Sequence, residues 1–279
     1  MTRLLHISDM HFGTEQPHVV DALLALSDEK KPDVLVVSGD VTQRATHAQF
    51  SSAKAFCDRL GIAHMLSLPG NHDIPLYNLF SRLVRPYAAY QQAFGKELEP
   101  ELNTASLCLI TVNTTRWWRH KNGEVSKDQI RRVCSQLSRA TPKQLRVVVV
   151  HQPVHVPRQQ DEHDRLRGWQ PAVQAWAAAG ADIVLGGHIH LPYVCELSSI
   201  VSGLSRRLWC VQAGTAVSSR IRQEAPNSVN LLEFSSHADG LRCSVERWDY
   251  QQAIPGAVAG RFALAHTSVL NPQRNQTQT

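Results

Sequence analysis

The sequence predicts an α/β fold built as one large domain. Helix and strand signals alternate through the first two-thirds of the chain, and four short apolar runs lead into residues able to bind a metal. After His190 the pattern changes to alternating apolar and polar residues, which is typical of antiparallel strands. At 279 residues and 43% hydrophobic composition, the chain is long enough to bury one large core, with at most a small cap.

Each element follows from apolar spacing and from the residues that interrupt it. In the first two-thirds the predicted strands are 4–7, 34–37, 65–68, 107–112, 147–150 and 183–185. The first predicted helix starts at Val19 and runs up to the break at 30–32. The other predicted helices cover 47–60, 86–94, 126–137 and 171–179. Pro86 and the capping box at Ser126 mark two of the helix starts, and Gly61 marks one helix end. Further strands are predicted at 191–197, 208–212, 229–234 and 241–248, with a turn at 238–240.

The sequence shows no sign of a membrane span or a cleaved leader. No apolar stretch approaches the ~20 residues that a spanning helix needs, and the first residues run straight into a predicted strand. The six cysteines are scattered without a C-x-x-C pair, as expected for reduced thiols. We therefore expect a cytoplasmic protein whose single domain covers 1–271, followed by a disordered polar tail at 272–279.

The charge balance is mildly basic, with a net charge of +5 and a pI near 9.0. Such an excess either favours anionic substrates such as nucleotides or is ordinary solvated surface charge. No block of five or more like charges is present, so a nucleic-acid duplex is not an expected partner.

Five short motifs concentrate residues that can bind metal ions. They are, in chain order, Asp9-Met10-His11, Gly39-Asp40, Gly70-Asn71-His72-Asp73, His151 and Gly187-His188-Ile189-His190. Together they supply three carboxylates, one amide and five imidazoles, without a thiolate. This donor set suits Mn, Fe, Co or Zn better than Ca. Because several motifs directly follow predicted strands, we expect them to meet at one edge of the fold.

In order and spelling, these motifs resemble the calcineurin-like metallophosphoesterase superfamily. The resemblance spans about Leu4 to His190, and it is greatest to the bacterial class III cyclic-nucleotide phosphodiesterase branch. It implies a four-layer α/β/β/α sandwich of two mixed β-sheets. It also implies a hydrolase that cleaves small phosphodiesters, cyclic nucleotides among them, by attack of a metal-bridging hydroxide.

The resemblance further implies two divalent ions, Mn, Fe or Zn, and a role for each motif residue. The first ion is assigned Asp9, His11 and His190, the second Asn71, His151 and His188, and both share Asp40. His72 is assigned the role of catalytic acid for the leaving oxygen. Asp73 is expected to accept the other N–H of His72 and to fix its tautomer.

Contacts with the substrate are less strongly indicated. Arg44 follows Asp40 by four residues and is either a phosphate-binding residue or a surface residue at a helix start. Arg116 opens an aromatic and basic segment, 116–121, that could stack on a nucleotide or pack its tryptophans on the core. Segments 114–125 and 155–168 are candidates for a small cap or lid.

Other functions remain open at this point. One is a pyrophosphatase acting on a nucleotide-sugar lipid precursor of the UDP-diacylglucosamine type. It would require an apolar surface for acyl chains, for which Leu79, Phe80, Leu83 and Val84 are the candidates. Another is a catalytically inactive scaffold, which the intact motifs argue against. The sequence does not indicate an oligomeric state.

Overall fold

The computed structural model describes residues 1–76, 78–222, 225–237, 240–253 and 259–273. Its strands are β1 (Thr2–Ile7), β2 (Val34–Ser38), β3 (His64–Leu68), β4 (Glu101–Asn103), β5 (Leu107–Thr111), β6 (Leu145–Val149), β7 (Ile183–Gly186), β8 (Tyr193–Glu196), β9 (Trp209–Gln212), β10 (Ser228–His237), β11 (Gly240–Gln251) and β12 (Arg261–Leu270). Its α-helices are α1 (Pro17–Lys30), α2 (His47–Arg59), α3 (Leu79–Val84), α4 (Ala88–Phe94), α5 (Lys127–Leu137) and α6 (Trp169–Ala179). Short 3₁₀ turns lie at Asn71–Asp73, Gln159–Asp164 and Leu197–Ser199.

The strands form two six-stranded mixed sheets. The first has the order β12-β11-β10-β1-β2-β3, in which β1, β2 and β3 are parallel and the other neighbours antiparallel. The second has the order β4-β5-β6-β7-β9-β8, with β5, β6, β7 and β9 parallel and antiparallel strands at both edges.

Alternation along the strands divides the apolar side chains among three cores. Leu4 of β1 and Val147 of β6 belong to the core between the two sheets. Leu5 of β1 points the other way and packs with residues of α1 and α2. Val148 of β6 likewise packs outward, with residues of α5 and α6. Two central sheets covered by helices on both outer faces are four layers, so the predicted α/β/β/α sandwich is confirmed.

The predicted elements differ from the observed ones mainly at the edges of the sheets. The short strand β4 and the long strand β12 were not predicted. Most of β12 is exposed, because it is the last strand of its sheet, and its apolar alternation is correspondingly weak. Of the predicted tail, 274–279 lies outside the described residues, as does 238–239 of the predicted turn. Gln273 is described, and its Oε1 accepts a hydrogen bond from the Arg207 N–H at 2.8 Å.

The parallel strands bring the motifs to one edge of the molecule. Asp9 lies two residues after the end of β1, and Asp40 lies two residues after the end of β2. Asn71 lies three residues after the end of β3. In the second sheet, His151 lies two residues after the end of β6, and His188 lies two residues after the end of β7. Since the carboxyl ends of parallel strands meet at one edge, these loops converge where the two sheets face each other. Among the described residues, no helix is long and apolar enough to cross a membrane.

Candidate metal centre

The motif side chains gather into groups of possible metal ligands at this edge. Within each group, one ligand atom from every residue lies within 4.8 Å of the others. The groups are Asp9, His11 and His190; His11, Asp40 and His72; and Asp40, His151 and His188. Asn71 joins the last group, with its Oδ1 3.2 Å from His151 Nε2. The structure therefore brings all seven predicted ligands together.

Asp40 belongs to two of these groups. Its Oδ2 is 3.7 Å from His11 Nε2, and its Oδ1 is 3.3 Å from His151 Nε2. Asp40 is only 2% exposed, so bulk water does not lie between its carboxylate and the imidazoles of His11 and His151. Each oxygen of a single carboxylate thus faces a different set of imidazoles, which is the arrangement that a bridging ligand requires.

The backbone is unusual at most of the candidate ligands. Seven non-glycine residues in the described part of the chain have positive φ. Five of them are candidate ligands: Asp9 (53°), His11 (43°), Asp40 (48°), His188 (74°) and His190 (57°). L-residues rarely adopt this region, and such strain persists where the surrounding structure holds it, often at functional sites. Here the left-handed backbone directs consecutive motif side chains toward a common point.

Glycines allow the ligand loops to approach one another closely. A Cβ at Gly70 would collide with the main chain and the carboxylate of Asp40. A Cβ at Gly187 would lie 2.6 Å from Asp9 Oδ2 and would also collide with Ser8. Glycine is therefore required in both motifs by the approach of a carboxylate.

The ring orientations leave acceptor atoms facing inward. His151 donates from Nδ1 to the Ser38 carbonyl at 2.7 Å, and His190 donates from Nδ1 to the Arg220 carbonyl. When these rings are neutral, their Nε2 atoms therefore carry the lone pairs and face the site, which is the tautomer expected of metal-binding histidines. His190 Nε2 lies 3.2 Å from His11 Nε2 and 3.4 Å from Asp9 Oδ1.

Several of these buried polar atoms lack hydrogen-bond partners among the described residues. They include Asp9 Oδ1 and His188 Nε2. A buried polar atom without a partner is destabilising, and buried acceptors facing one another are more so. A cation placed among them would satisfy the donor set, so these residues fit a pair of divalent ions.

The pKa of His151 also indicates that a positive charge is stabilised at this site. Burial would lower the pKa of this imidazole, but the adjacent carboxylate of Asp40 outweighs burial and raises the pKa to about 9. At His11 burial prevails and lowers the pKa to about 3, although Asp40 and Asp9 oppose it.

His72 lies beside the candidate ligands but is held differently. Its main-chain N–H donates to Asp40 Oδ1 at 2.8 Å, and its Nδ1 lies 3.1 Å from the Gln43 carbonyl oxygen. Its ring stands edge-on to that of His11, with centroids 4.8 Å apart. The side chain opens into a cavity of about 150 Å³ lined by Gln43, Arg44, Asn71, His72, Ile74, Leu76 and His120.

The expected contact between Asp73 and His72 is wrong. The carboxylate of Asp73 instead accepts hydrogen bonds from the main-chain N–H groups of Val41, Thr42 and Gly70, at 2.8 to 3.0 Å. Burial, together with the negative charge of Asp40, raises the pKa of Asp73 to about 6 despite these donors. Asp73 therefore joins the second and third motif loops, and the tautomer of His72 is fixed by a main-chain carbonyl.

Arg220 is a site residue that the sequence did not reveal. Its Nη1 lies 3.1 Å from His72 Nε2 and 3.0 Å from Gln43 Oε1, while its main-chain carbonyl accepts the hydrogen bond of His190. It lies 30 residues beyond the last motif, in a loop without periodic pattern. In the sequence, nothing but its positive charge suggested that Arg220 could bind a phosphate.

Asp164 is a second residue that the motifs did not indicate. Its Oδ1 lies 3.6 Å from His188 Nε2 and 2.7 Å from Lys121 Nζ. Burial favours a higher pKa for this carboxyl, but His188 and Lys121 lower it to about 2. The Lys121 contact joins segments 114–125 and 155–168, which also pair through Val125 N and the Arg167 carbonyl at 3.1 Å. Both predicted cap segments thus lie together beside the second ligand group.

The two predicted substrate-binding arginines have different surroundings. Arg44 is exposed and lines the cavity at His72. Arg116 is not brought there: its guanidinium donates to the carbonyls of Asn113 and Thr115 and to Gln129 Oε1, at 2.8 to 3.1 Å. These bonds tie the start of the 116–121 segment to the protein body.

Comparisons with known proteins agree with this geometry. Residues 2–192 match the family described as calcineurin-like phosphoesterase. A comparison with curated proteins gives no match. The fold is similar to a dimetal phosphatase from Danio rerio, with a TM-score of 0.66 and 13% identity, over 98% of this chain and 99% of that one.

The fold is also similar to a purple acid phosphatase from yellow lupin (Lupinus luteus) seeds. The TM-score is 0.66 and the identity 12%, over 96% of this chain and 53% of the lupin chain. This chain therefore spans about half the length of the lupin enzyme. At such identities, both similarities show a shared fold.

Proposed function

Since the chain belongs to the calcineurin-like phosphoesterase family of metal-dependent phosphoric ester hydrolases, we propose that it hydrolyses small phosphodiesters at a dinuclear metal centre. The observation that carries the proposal is the position of Asp40. Its two oxygens face His11 and His151 from within a buried pocket, as a carboxylate shared by two ions would.

In this proposal the two ions have separate shells. Asp9, His11 and His190 would hold the first ion, Asn71, His151 and His188 would hold the second, and Asp40 would be shared by both. Two divalent ions held there would neutralise phosphate oxygens and activate water for attack on phosphorus. Only two of the seven ligands are carboxylates, so the loaded centre keeps a net positive charge and attracts an anionic ester.

His72 and Arg220 would act on the substrate from the side of the cavity. Neither is assigned as a ligand, and their side chains meet at 3.1 Å. Arg220 would bind a non-bridging phosphate oxygen through charge-assisted hydrogen bonds. His72 would protonate or hydrogen-bond the leaving oxygen, as a positioned general acid does.

A preference for diesters rests on the branch of the family that the motifs resemble. It is tested by comparing bis(p-nitrophenyl) phosphate with p-nitrophenyl phosphate at equal concentration and with added Mn. We expect faster turnover of the diester, and Asp40→Asn should abolish both activities. Cyclic nucleotides are then the first natural class to assay. Faster turnover of the monoester would overturn the diester assignment while leaving the hydrolase class intact.

A second candidate is hydrolysis of a nucleotide-sugar lipid precursor at the pyrophosphate bond. The observation favouring it is the exposure of Leu79, Phe80, Leu83 and Val84 on α3, which carries the apolar surface that such a substrate requires. Including a nucleotide-sugar and its acylated form in the assay panel separates the two candidates.

A further inference from the structure

Helix α3 is oriented with its apolar face toward solvent. Leu79, Phe80, Leu83 and Val84 are 74%, 77%, 61% and 54% exposed. They occupy positions i, i+1, i+4 and i+5, which lie on one side of a helix. Arg82, on the other side, donates to the carbonyls of Pro75 at 3.2 Å and Arg119 at 2.8 Å. A surface helix of a soluble domain normally has the opposite arrangement.

A neighbouring segment exposes large aromatic side chains. Trp117 and Trp118 are 38% and 57% exposed, and their rings pack edge to face with centroids 5.5 Å apart. The bond from Arg82 to Arg119 joins this segment to α3. Tyr87, just after α3, makes a second connection through its hydroxyl, 2.7 Å from Thr115 Oγ1. We call Leu79, Phe80, Leu83, Val84, Trp117 and Trp118 the apolar patch.

Basic side chains outnumber acidic ones around the apolar patch, although Glu97 and Glu99 line the same hollow as Trp117 and Trp118. Segments 74–96 and 114–123 contain no Asp or Glu, and they contain six Lys and Arg. Arg85, directly after α3, and Lys96 are both exposed. Arg119 and Lys121 have acidic partners in Glu124 and Asp164, which lie outside the two segments.

We propose that the apolar patch docks on an anionic phospholipid surface. Exposed aliphatic and aromatic side chains ringed by cations are what a peripheral contact with such a surface requires. Tryptophan in particular favours the boundary between acyl chains and headgroups. A protein partner would match the apolar side chains, but the excess of positive charge around them is matched by anionic headgroups.

The location of the patch gives this contact a consequence for the active site. Leu76 and His120 line the cavity at His72. Leu76 lies three residues before the start of α3, and His120 lies two residues after Trp118. Docking would therefore bring the mouth of the cavity near the lipid headgroups. Binding itself needs no catalysis, so it does not rest on the proposed reaction.

The test is co-sedimentation with vesicles of phosphatidylcholine alone or with about 30% phosphatidylglycerol. We expect binding to the anionic vesicles that weakens as salt rises. The triple variant Leu79→Ser, Phe80→Ser, Leu83→Ser should lower the partition coefficient at least about tenfold. Trp118→Ala, a single change in the other element, should lower it less. The matched control is Leu264→Ser with Val269→Ser, at positions 48% and 68% exposed on β12, and it should bind like the wild type.

Three results would overturn the proposal: equal binding to neutral vesicles, wild-type binding by the triple variant, or equal loss in the β12 control. A concentration-dependent dimer that the triple variant abolishes, without vesicle binding, would show that a second copy covers the patch instead. Asp40→Asn should bind vesicles like the wild type, which separates failure of this proposal from failure of the proposed reaction.

Discussion

The guanidinium of Arg220 lies 3.1 Å from Nε2 of His72. Because Nδ1 of His72 faces the Gln43 carbonyl oxygen at 3.1 Å, this nitrogen is a donor, and Nε2 accepts from Arg220 when the ring is neutral. The acid role requires the imidazolium form, whose Nε2–H would donate to the leaving oxygen. The main-chain carbonyl of Arg220 meanwhile orients His190. One residue thus connects a candidate ligand with the candidate acid, and an anionic oxygen entering the cavity would meet both the arginine and the imidazole.

The first prediction concerns the charge of Arg220. Arg220→Gln should lower kcat/KM for a phosphodiester by about 10- to 100-fold, since a charged hydrogen bond contributes about 1.5–3 kcal/mol. Arg220→Lys should recover part of the loss, because it restores charge without the planar donor pair. Metal content should stay unchanged, since His190 is held by the main chain.

Steady-state kinetics and metal analysis of the same preparations check this. Arg59→Gln, which removes an exposed arginine of α2, is the control for a general change in net charge. Wild-type kcat/KM in Arg220→Gln would show that the guanidinium does not bind substrate.

The second prediction concerns His72 as the acid. His72→Ala should retain bound metal but lower kcat by roughly 10²–10⁴, the usual contribution of a positioned acid. The loss should be smaller for a p-nitrophenolate leaving group, which needs little protonation, than for an alkoxide such as the ribose oxygen of a cyclic nucleotide. Kinetics with both leaving groups measure the difference. Equal losses for the two, or loss of metal, would contradict the acid role.

The third prediction concerns metal stoichiometry. Protein purified without chelator should approach two equivalents of Mn, Fe or Zn. Asn71→Ala should lose mainly the second ion, because Asn71 approaches only the His151 side, whereas Asp40→Asn should weaken both. Metal analysis after reconstitution provides the count. A wild-type value that stays at one in excess metal would be incompatible with a bridging Asp40.

The sequence contained most of the information about the candidate ligands. Asp9, Asp40, His151 and His188 each follow a buried parallel strand, and the geometry of such strands determines where their ends meet. The apolar runs that precede these residues therefore predicted that their side chains meet at one edge of the fold. The sandwich of two sheets was instead implied by the family resemblance, and the observed order of helices and strands agrees with it.

The residues that local pattern could not place depend on tertiary structure. Arg220 reaches His72 across 148 positions of sequence, and Asp164 reaches His188 through a loop without regular apolar spacing. Asp73 was given the wrong partner because adjacency in sequence suggested His72. In the 3₁₀ turn, the carboxylate instead faces the N–H groups of the preceding motif loop.

The last prediction concerns stability at mildly acidic pH. His6, fully buried in β1, contacts Ser38 Oγ through Nε2 at 2.9 Å, and burial lowers its pKa from 6.5 to about 3, although Asp9 opposes the shift. Between these values the unfolded chain binds a proton that the folded protein does not, so stability is full above pH 6.5 and falls as the pH decreases. The contribution lost between pH 7.5 and 5.5 is about 1.3 kcal/mol.

Urea unfolding of chelator-treated protein across this range measures the slope. His6→Gln, which retains a polar group near Ser38, should shift the absolute stability but lose about 1.3 kcal/mol less than the wild type between pH 7.5 and 5.5. His64→Gln, at an exposed position of β3, is the matched control and should keep the wild-type slope. Because the comparison uses slopes, a packing defect in His6→Gln does not affect it. An unchanged slope in that variant would mean that His6 takes up its proton in the folded protein as readily as in the unfolded chain.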